Sequence, residues 1–200
     1  MTFLTAAVVA SLLTADPSPD PSRFYFHEAV GLGGWFASSS YKDGTRDIQA
    51  LSLGVVSTVA FRPSPSMAIG GQLQFNFSPF LNVTQNRSRG GPFHQLPGVP
   101  WALSGLMGPS LTLFPGNFRF DISPGFLWVV TGPEAGQRTA AFGGTGAGVS
   151  GAAGYDLNLN DRLALCLELR ATTGLHVNSD STHIIGWDLG VAFLAGVRRR

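Results

Sequence analysis

The segment RLALCLELR, residues 162–170, places leucine at every second position from Leu163 to Leu169. Strict alternation of this kind predicts an extended strand with one apolar face and one polar face. The chain contains no apolar run that approaches the roughly 20 residues a membrane-spanning helix needs. The leucines must therefore face either a protein core or, in a membrane barrel, the lipid, and the two arrangements imply different functions.

The composition favours the membrane arrangement. Charged residues make up 12% of the 200 residues and hydrophobic residues 44%, whereas soluble domains carry about 25% charged residues. A β-barrel in a membrane has this composition because its apolar residues are spread over alternate positions. The net charge of +1, without any basic stripe, predicts no nucleic-acid partner. Cys166 is the single cysteine, so the chain has no internal disulfide.

The start of the chain is typical of an export signal. Residues 3–13 form a short apolar stretch of the length found in signal peptides. The sequence therefore predicts a signal peptide over 1–15, a proline-rich spacer over 16–23, a barrel domain over 24–197 and a basic tail over 198–200.

The rest of the chain alternates between strand-like segments and turn signals. Three connections are short and rich in Pro, Gly, Asn and Asp, and four are longer and polar. Short and long connections alternate, as in an up-and-down barrel whose two ends face different compartments. Eight strands are predicted, over 24–37, 49–61, 67–79, 101–114, 118–130, 142–156, 162–174 and 183–197.

The alternation assigns each strand residue to one of two faces. One face is rich in Leu, Val, Ile, Phe and Trp, for example Leu51, Leu53, Phe118, Phe120 and Phe193. The other face consists mostly of Gly, Ser, Ala and amide side chains. Small residues suit the narrow interior of an eight-stranded barrel, and the large aromatic residues could not all fit there. The sequence therefore predicts an all-β, eight-stranded antiparallel transmembrane barrel whose leucines face lipid.

Aromatic residues cluster toward the strand ends, which predicts two girdles at the membrane–water interfaces. One predicted girdle contains Phe24, Phe26, Phe61, Phe114, Phe118, Phe120, Tyr155 and Phe193. The other contains Phe36, Phe77, Phe80, Trp101, Trp128, Phe142 and Trp187.

In these features residues 24–197 resemble the small eight-stranded outer-membrane barrels of Gram-negative bacteria, the OmpA/OmpX/OmpW-like group. The segment 188–193, DLGVAF, resembles the final-strand pattern by which the assembly machinery recognises such barrels, although this chain continues with LAGVRRR. The resemblance implies a monomer in the bacterial outer membrane, with short periplasmic turns and longer external loops. It also implies contact with the lipid bilayer, lipopolysaccharide and the assembly machinery.

Several charged and amide side chains fall on the inward face, where buried charges need partners. We expect a polar network in the lumen formed by Arg119, Asp121, Glu168, Arg170, Asp188, Gln72, Gln74 and Asn76. Such a network would close the barrel as a structural plug. The alternative is a narrow OmpW-like channel for small solutes.

No motif predicts catalysis. The four histidines lack metal-ligand spacing, so no metal and no cofactor is expected. The segment 176–183, HVNSDSTH, contains His, Ser and Asp but does not match the lipid A deacylase-like pattern, so a lipid A-modifying enzyme is a minor alternative. Arg87 and Arg89 make the longest connection basic, either as a solvated loop or as a contact for lipopolysaccharide phosphates. The predicted role is therefore structural, or surface interaction through the external loops.

Overall fold

A computed structural model describes residues 24–41, 44–87, 94–95, 101–132, 142–160, 163–178 and 185–199. The predicted signal peptide and spacer lie outside these residues. Eight long strands make up the fold: β1 Phe24–Tyr41, β2 Gly44–Ser64, β3 Met67–Arg87, β4 Ala102–Leu113, β5 Phe118–Thr131, β6 Phe142–Asn158, β7 Leu163–Asn178 and β8 Ile185–Arg199.

The strands form one closed ring. Each strand pairs antiparallel with the next along the chain, and β8 pairs back onto β1, from Phe26 opposite Arg199 to Ser39 opposite Gly186. The predicted eight-stranded up-and-down barrel is therefore confirmed. Closure leaves no open sheet edge within the ring, as a hydrocarbon environment requires.

All eight predicted strands are present, but several extend further toward the long connections. The predicted loop 38–48 is largely paired strand, because β1 and β2 remain in register from Ser38 opposite Asp47 to Tyr41 opposite Gly44. Its Ser, Tyr, Thr and Ile residues are compatible with strand geometry, so polarity alone gave the wrong boundary. At the other end, β8 includes Arg198 and Arg199, which the sequence assigned to the tail.

The short connections contain the residues and hydrogen bonds that tight turns favour. Gly116 lies between β4 and β5 with a φ of 68°, a backbone conformation that glycine adopts without steric cost. Between β6 and β7, the side-chain oxygen of Asn160 accepts a hydrogen bond from the Leu163 backbone N–H at 2.8 Å. We call this side of the barrel the turn end and the opposite side the loop end.

The two faces of the barrel wall differ as predicted. The leucines of the opening segment point outward, with Leu167 49% and Leu169 45% exposed. The other large exposed apolar residues share this face, among them Leu32, Leu51, Val55, Val59, Ile69, Met107, Ile122, Phe126, Val149, Val191 and Phe193. Cys166, Glu168 and Arg170, which alternate with the leucines, are buried. The barrel thus has an apolar exterior and a polar interior.

Within the described part of the chain, no α-helix has the length and hydropathy needed to cross a membrane.

Aromatic rings pair on the outer surface at the turn end. Phe24 and Phe61 meet edge to face at 6.4 Å between ring centroids, and Phe118 and Tyr155 do so at 5.3 Å. The prediction was wrong for Phe114, which is buried in the lumen because it lies on the inward side at the end of β4. Phe193 also lies away from the strand end, since β8 continues six residues beyond it.

The glycine-rich strand β6 approaches its neighbour closely. A Cβ atom at Gly146 would lie 1.9 Å from the backbone oxygen of Leu175 in β7. No other residue fits this position without moving a strand. This agrees with the structural explanation of the segment FGGTGAGVSGAAG, in which glycine allows close packing.

The outward face generates a stability prediction. Leu169→Arg places a cation near the middle of the apolar exterior and should lower the free energy of unfolding in a bilayer by about 2–4 kcal/mol. The matched variant Leu157→Arg lies on the same face at the turn end, where the cost should be below about 1 kcal/mol. Urea titration in lipid vesicles, followed by tryptophan fluorescence, measures both. Equal costs would contradict a bilayer around this surface.

Candidate functional site: the polar lumen

The lumen begins at the turn end with an apolar floor. Tyr25 packs edge to face on Phe114 at 5.3 Å between centroids, and Ala60 and Ala68 complete the cluster. Tyr25 and Ala68 are fully buried. The floor separates the lumen from the turn end of the barrel.

A charged layer lies next to this floor, centred on Arg119 of β5. Its Nε lies 3.0 Å from an Asp121 carboxylate oxygen and its Nη1 lies 3.9 Å from Asp156. Its Nη2 donates to Glu168 of β7, and its Nη1 donates to the Tyr25 hydroxyl at 3.3 Å. The guanidinium thus connects three carboxylates across the interior, and its side chain is fully buried.

Arg170, two residues after Glu168 on β7, extends this layer. Its Nε donates to the other Glu168 oxygen at 3.0 Å, and its Nη1 donates to Gln72 and to Ser150, both at 3.0 Å. Its Nη2 lies 3.5 Å from Asp121. Glu168 and Asp121 are therefore each shared by both arginines, which lowers the cost of burying either charge.

A neutral polar layer follows toward the loop end. The Thr172 hydroxyl lies 2.9 Å from Gln74 Nε2 and 3.3 Å from the Ser150 hydroxyl. Asn76 Nδ2 donates to the Ser104 hydroxyl at 3.4 Å. These bonds link β3, β4, β6 and β7 across the barrel interior.

Apolar side chains occupy the lumen beyond this layer. Trp35, Ala37, Ile48, Ala102 and Val129 form one buried cluster toward the loop end. The surfaces of Arg119, Ser123 and Ser150 are 0% accessible. A water-filled passage beside these side chains would have given them accessible surface.

The structure brings together seven of the eight residues predicted for the lumen. Arg119, Asp121, Glu168, Arg170 and Gln72 share one set of contacts, and Gln74 and Asn76 lie in the neutral layer. Asp188 lies in β8, paired with Ala37 and Gly174, but its side chain lies outside the described residues.

The sequence did not predict several members of the charged layer. Asp156 and Tyr25 contact Arg119 directly, Ser150 contacts Arg170, and Nε2 of His27 lies 3.5 Å from Glu168. The alternation along each strand could have predicted that Asp156 and His27 face the lumen, since each alternates with outward residues. Their partners could not be inferred because those depend on the stagger between distant strands.

Among the described residues, no group of three or more His, Cys, Asp and Glu side chains is placed to hold a metal ion. Cys166 is fully buried on the inward face of β7.

In sequence, no family model and no curated protein matches the chain. In structure, the chain is similar to the outer-membrane protein AlkL in lipid bilayers, with a TM-score of 0.50 and 11% identity over 93% of this chain and 94% of that one. OprG from Pseudomonas aeruginosa covers 88% of this chain and 95% of its own length at 12% identity, but its TM-score is only 0.47. The Neisserial surface protein A has 12% identity to the chain and a TM-score of 0.46, over 88% of this chain and 96% of that one.

The closed antiparallel ring and its apolar exterior give the chain the fold of a small outer-membrane β-barrel, the fold that AlkL also has. The predicted resemblance to small eight-stranded outer-membrane barrels is confirmed at the level of the fold. Bacterial outer membranes, the predicted location, are where barrels of this architecture occur.

The charged layer generates a second stability prediction. Glu168→Leu removes the carboxylate shared by Arg119 and Arg170 and leaves two buried guanidinium groups short of a partner. The free energy of unfolding should fall by about 3–5 kcal/mol. The matched variant Thr172→Val removes one neutral hydrogen-bonding group from the next layer and should cost about 1 kcal/mol.

Urea unfolding in phosphatidylcholine vesicles compares the two variants, with circular dichroism to verify strand content before titration. A Glu168→Leu cost no larger than that of Thr172→Val would show that the shared carboxylate is not what holds the charged layer together.

Proposed function

We propose that the chain is a non-enzymatic outer-membrane protein that binds partners at its loop end while its lumen stays closed. The observation that carries the proposal is a block of paired strand that continues past the loop-end limit of β4. We call it the raised sheet and define it as residues 37–41 of β1, 44–48 of β2 and 83–87 of β3, which remain in register with one another.

The raised sheet lies beyond the outward aromatic residue Phe36, which marks the loop-end boundary of the apolar belt. Beside it, β3 continues after its last pair with β4, Ser78 opposite Ala102. On that side, residues 79–87 have only two described pairings, Thr84 opposite Gln95 and Gln85 opposite His94. Among the described residues, the remaining backbone groups of this edge have no strand partner, and an unpaired edge can accept another strand.

An available edge outside the bilayer favours partners that add a strand to the sheet. Main-chain hydrogen bonds then supply affinity, and alternate side chains supply specificity. The basic connection with Arg87 and Arg89 adjoins this edge in sequence, so lipopolysaccharide phosphates are a second proposed contact. Assembly through the periplasmic machinery remains part of the proposal, supported by the DLGVAF segment of β8.

The closed lumen separates this role from the alternative of a narrow channel. The apolar floor, the two polar layers and the loop-end apolar cluster succeed one another along the barrel axis. Passage of a solute would require the ion pairs of Arg119 and Arg170 to break.

A conductance measurement tests the closed lumen. The purified barrel in a planar lipid bilayer should show no discrete current steps in 1 M salt, because layers of buried side chains follow one another along the lumen. Discrete and reproducible steps from the folded protein would contradict the plug and favour the channel.

Peptide binding tests the open edge. A fluorescent peptide with the sequence of residues 79–87, PFLNVTQNR, should bind proteoliposomes at micromolar concentration by adding to β3. Two control peptides carry N-methyl groups on alternate amides, one peptide on the odd-numbered residues and the other on the even-numbered residues. One of them should fail to bind, because its methyl groups replace the donors that face the edge.

Two variants of the barrel provide the matched control. Neighbouring residues of β3 direct their N–H groups alternately toward β2 and toward the edge, and proline removes the donor. One of Asn82→Pro and Val83→Pro should therefore keep the barrel intact and abolish peptide binding. Equal binding by all peptides and by both variants would contradict strand addition.

A further inference from the structure

The ladder of paired residues between β4 and β5 contains a gap. On β4 the pairing stops after Met107 and resumes at Leu111 in the same register. Residues 108–110 of β4 and 123–125 of β5 lie between these points, and they are described but form no pair with each other. We call these two short segments the proline seam.

Two prolines account for the gap. Pro109 and Pro124 occupy opposite positions at its centre, and proline has no backbone N–H to donate. The backbone oxygen of Pro109 is directed toward β5, since it accepts a hydrogen bond from the Ser123 hydroxyl at 2.9 Å. In an antiparallel sheet, two opposite residues that face each other in this way exchange both of their N–H···O bonds. Both of these bonds are lost at the proline seam.

The ladders on either side are intact at the same positions. Pro109 is paired with Gly71 of β3, and Pro124 is paired with Val149 of β6. The β1–β8 ladder, which joins the two ends of the chain, also runs without interruption from Phe26 to Ser39. The loss of pairing is therefore confined to the contact between β4 and β5.

The proline seam lies near the middle of the apolar belt. Pro124 is six residues from Phe118 at the turn end, a rise of about 14 Å along the membrane normal for a strand tilted by about 45°. Such a belt is about 25 Å tall. Both prolines lie on the outward face. The hydrocarbon layer contains no water that could replace a missing backbone hydrogen bond at this depth.

One side chain replaces part of what the backbone has lost. Ser123 is fully buried on the inner side of the proline seam, and its hydroxyl forms the hydrogen bond to Pro109. Ser110, the other inward residue, is also buried, but its hydroxyl has no hydrogen-bond partner among the described groups. The strands still touch, because a Cβ atom at Gly108 would lie 2.0 Å from the backbone oxygen of Pro124. Packing and one side-chain hydrogen bond therefore keep this part of the wall closed.

We infer that the barrel wall opens locally between β4 and β5 at the proline seam, and that the hydrogen bond from Ser123 to Pro109 keeps it closed. Opening would move two strands apart sideways and bring Ser110 and Ser123 into contact with lipid. The apolar floor and the loop-end apolar cluster contain none of these residues, so the lumen stays closed along its axis. The inference does not depend on binding at the raised sheet.

Amide hydrogen exchange of the folded chain in phosphatidylcholine nanodiscs, resolved by residue with NMR, tests the inference. The amides of Met107 and Phe126 adjoin the gap and should exchange at least about tenfold faster than those of Val149 and Thr173. The latter two residues are opposite each other in the unbroken β6–β7 ladder, and Val149 lies next to Pro124 at the same depth. Each rate is divided by that of an unstructured peptide of the same sequence.

Two variants should shift the opening in opposite directions. Ser123→Ala removes the hydrogen bond to Pro109 and should raise the exchange rates of Met107 and Phe126 at least about threefold. Pro109→Ala restores a backbone N–H that faces β5 and should lower both rates at least about threefold. Ser104→Ala provides the matched control, because it removes another buried hydroxyl of β4 outside the gap and should leave both rates unchanged.

Gel mobility without boiling verifies that each variant is folded before measurement. Rates at Met107 and Phe126 no faster than those at Val149 and Thr173 would overturn the local opening. Equal rates in Ser123→Ala and Ser104→Ala would overturn the role of the Ser123 hydrogen bond. A rate that does not fall in Pro109→Ala would show that the missing backbone donor is not the cause.

Discussion

The requirement that every backbone N–H and C=O finds a partner in the absence of water governs this structure. The β1–β8 pairing satisfies it by closing the ring, from Phe26 opposite Arg199 to Ser39 opposite Gly186. Closure with only eight strands leaves an interior wide enough for side chains and little else. Since the outer face is mostly apolar, five charged residues of the spanning strands are directed into that interior, where each must find a partner: Arg119, Asp121, Asp156, Glu168 and Arg170.

The charged layer shows how this is achieved. Two arginines, Arg119 and Arg170, share Glu168 and Asp121, and Asp156 lies on the far side of Arg119. The formal charges of these five residues sum to −1, and His27 lies beside Glu168, so protonation of His27 would bring the sum to zero. Sharing each carboxylate between two guanidinium groups ties β5 to β7, which are separated in the ring by the glycine-rich β6. The small side chains of β6 leave room for these contacts.

Much of this could be predicted from sequence because alternation is a strictly local property. The leucines of RLALCLELR fix the orientation of Glu168 and Arg170 without reference to any other strand. The same reasoning assigns Gln72, Gln74 and Asn76 to the interior. It cannot give the stagger between strands, and the stagger determines that Arg119 reaches Tyr25 and Asp156 while Arg170 reaches Gln72 and Ser150.

The ends of the strands could not be predicted as well from the sequence, and the reason is physical. The segments 38–41 and 44–48 are polar, and polarity by itself predicts a water-exposed loop. A strand outside the bilayer is also exposed to water, so polarity there marks the membrane boundary and not the end of the strand. β1, β2 and β3 can therefore continue past the level of Phe36 as strands whose side chains meet water in place of lipid.

Glu28 is informative for the same reason that the leucines are. In a soluble protein an outward carboxylate needs no explanation, because water solvates it. On a surface that otherwise presents Leu32, Leu51, Val55 and Val59, the same side chain is an ionisable exception. Ser57 lies beside it and offers the hydrogen-bond donor that lipid cannot. The alternation rule thus admits an outward carboxylate where the adjacent strand places a hydroxyl of the same chain opposite it.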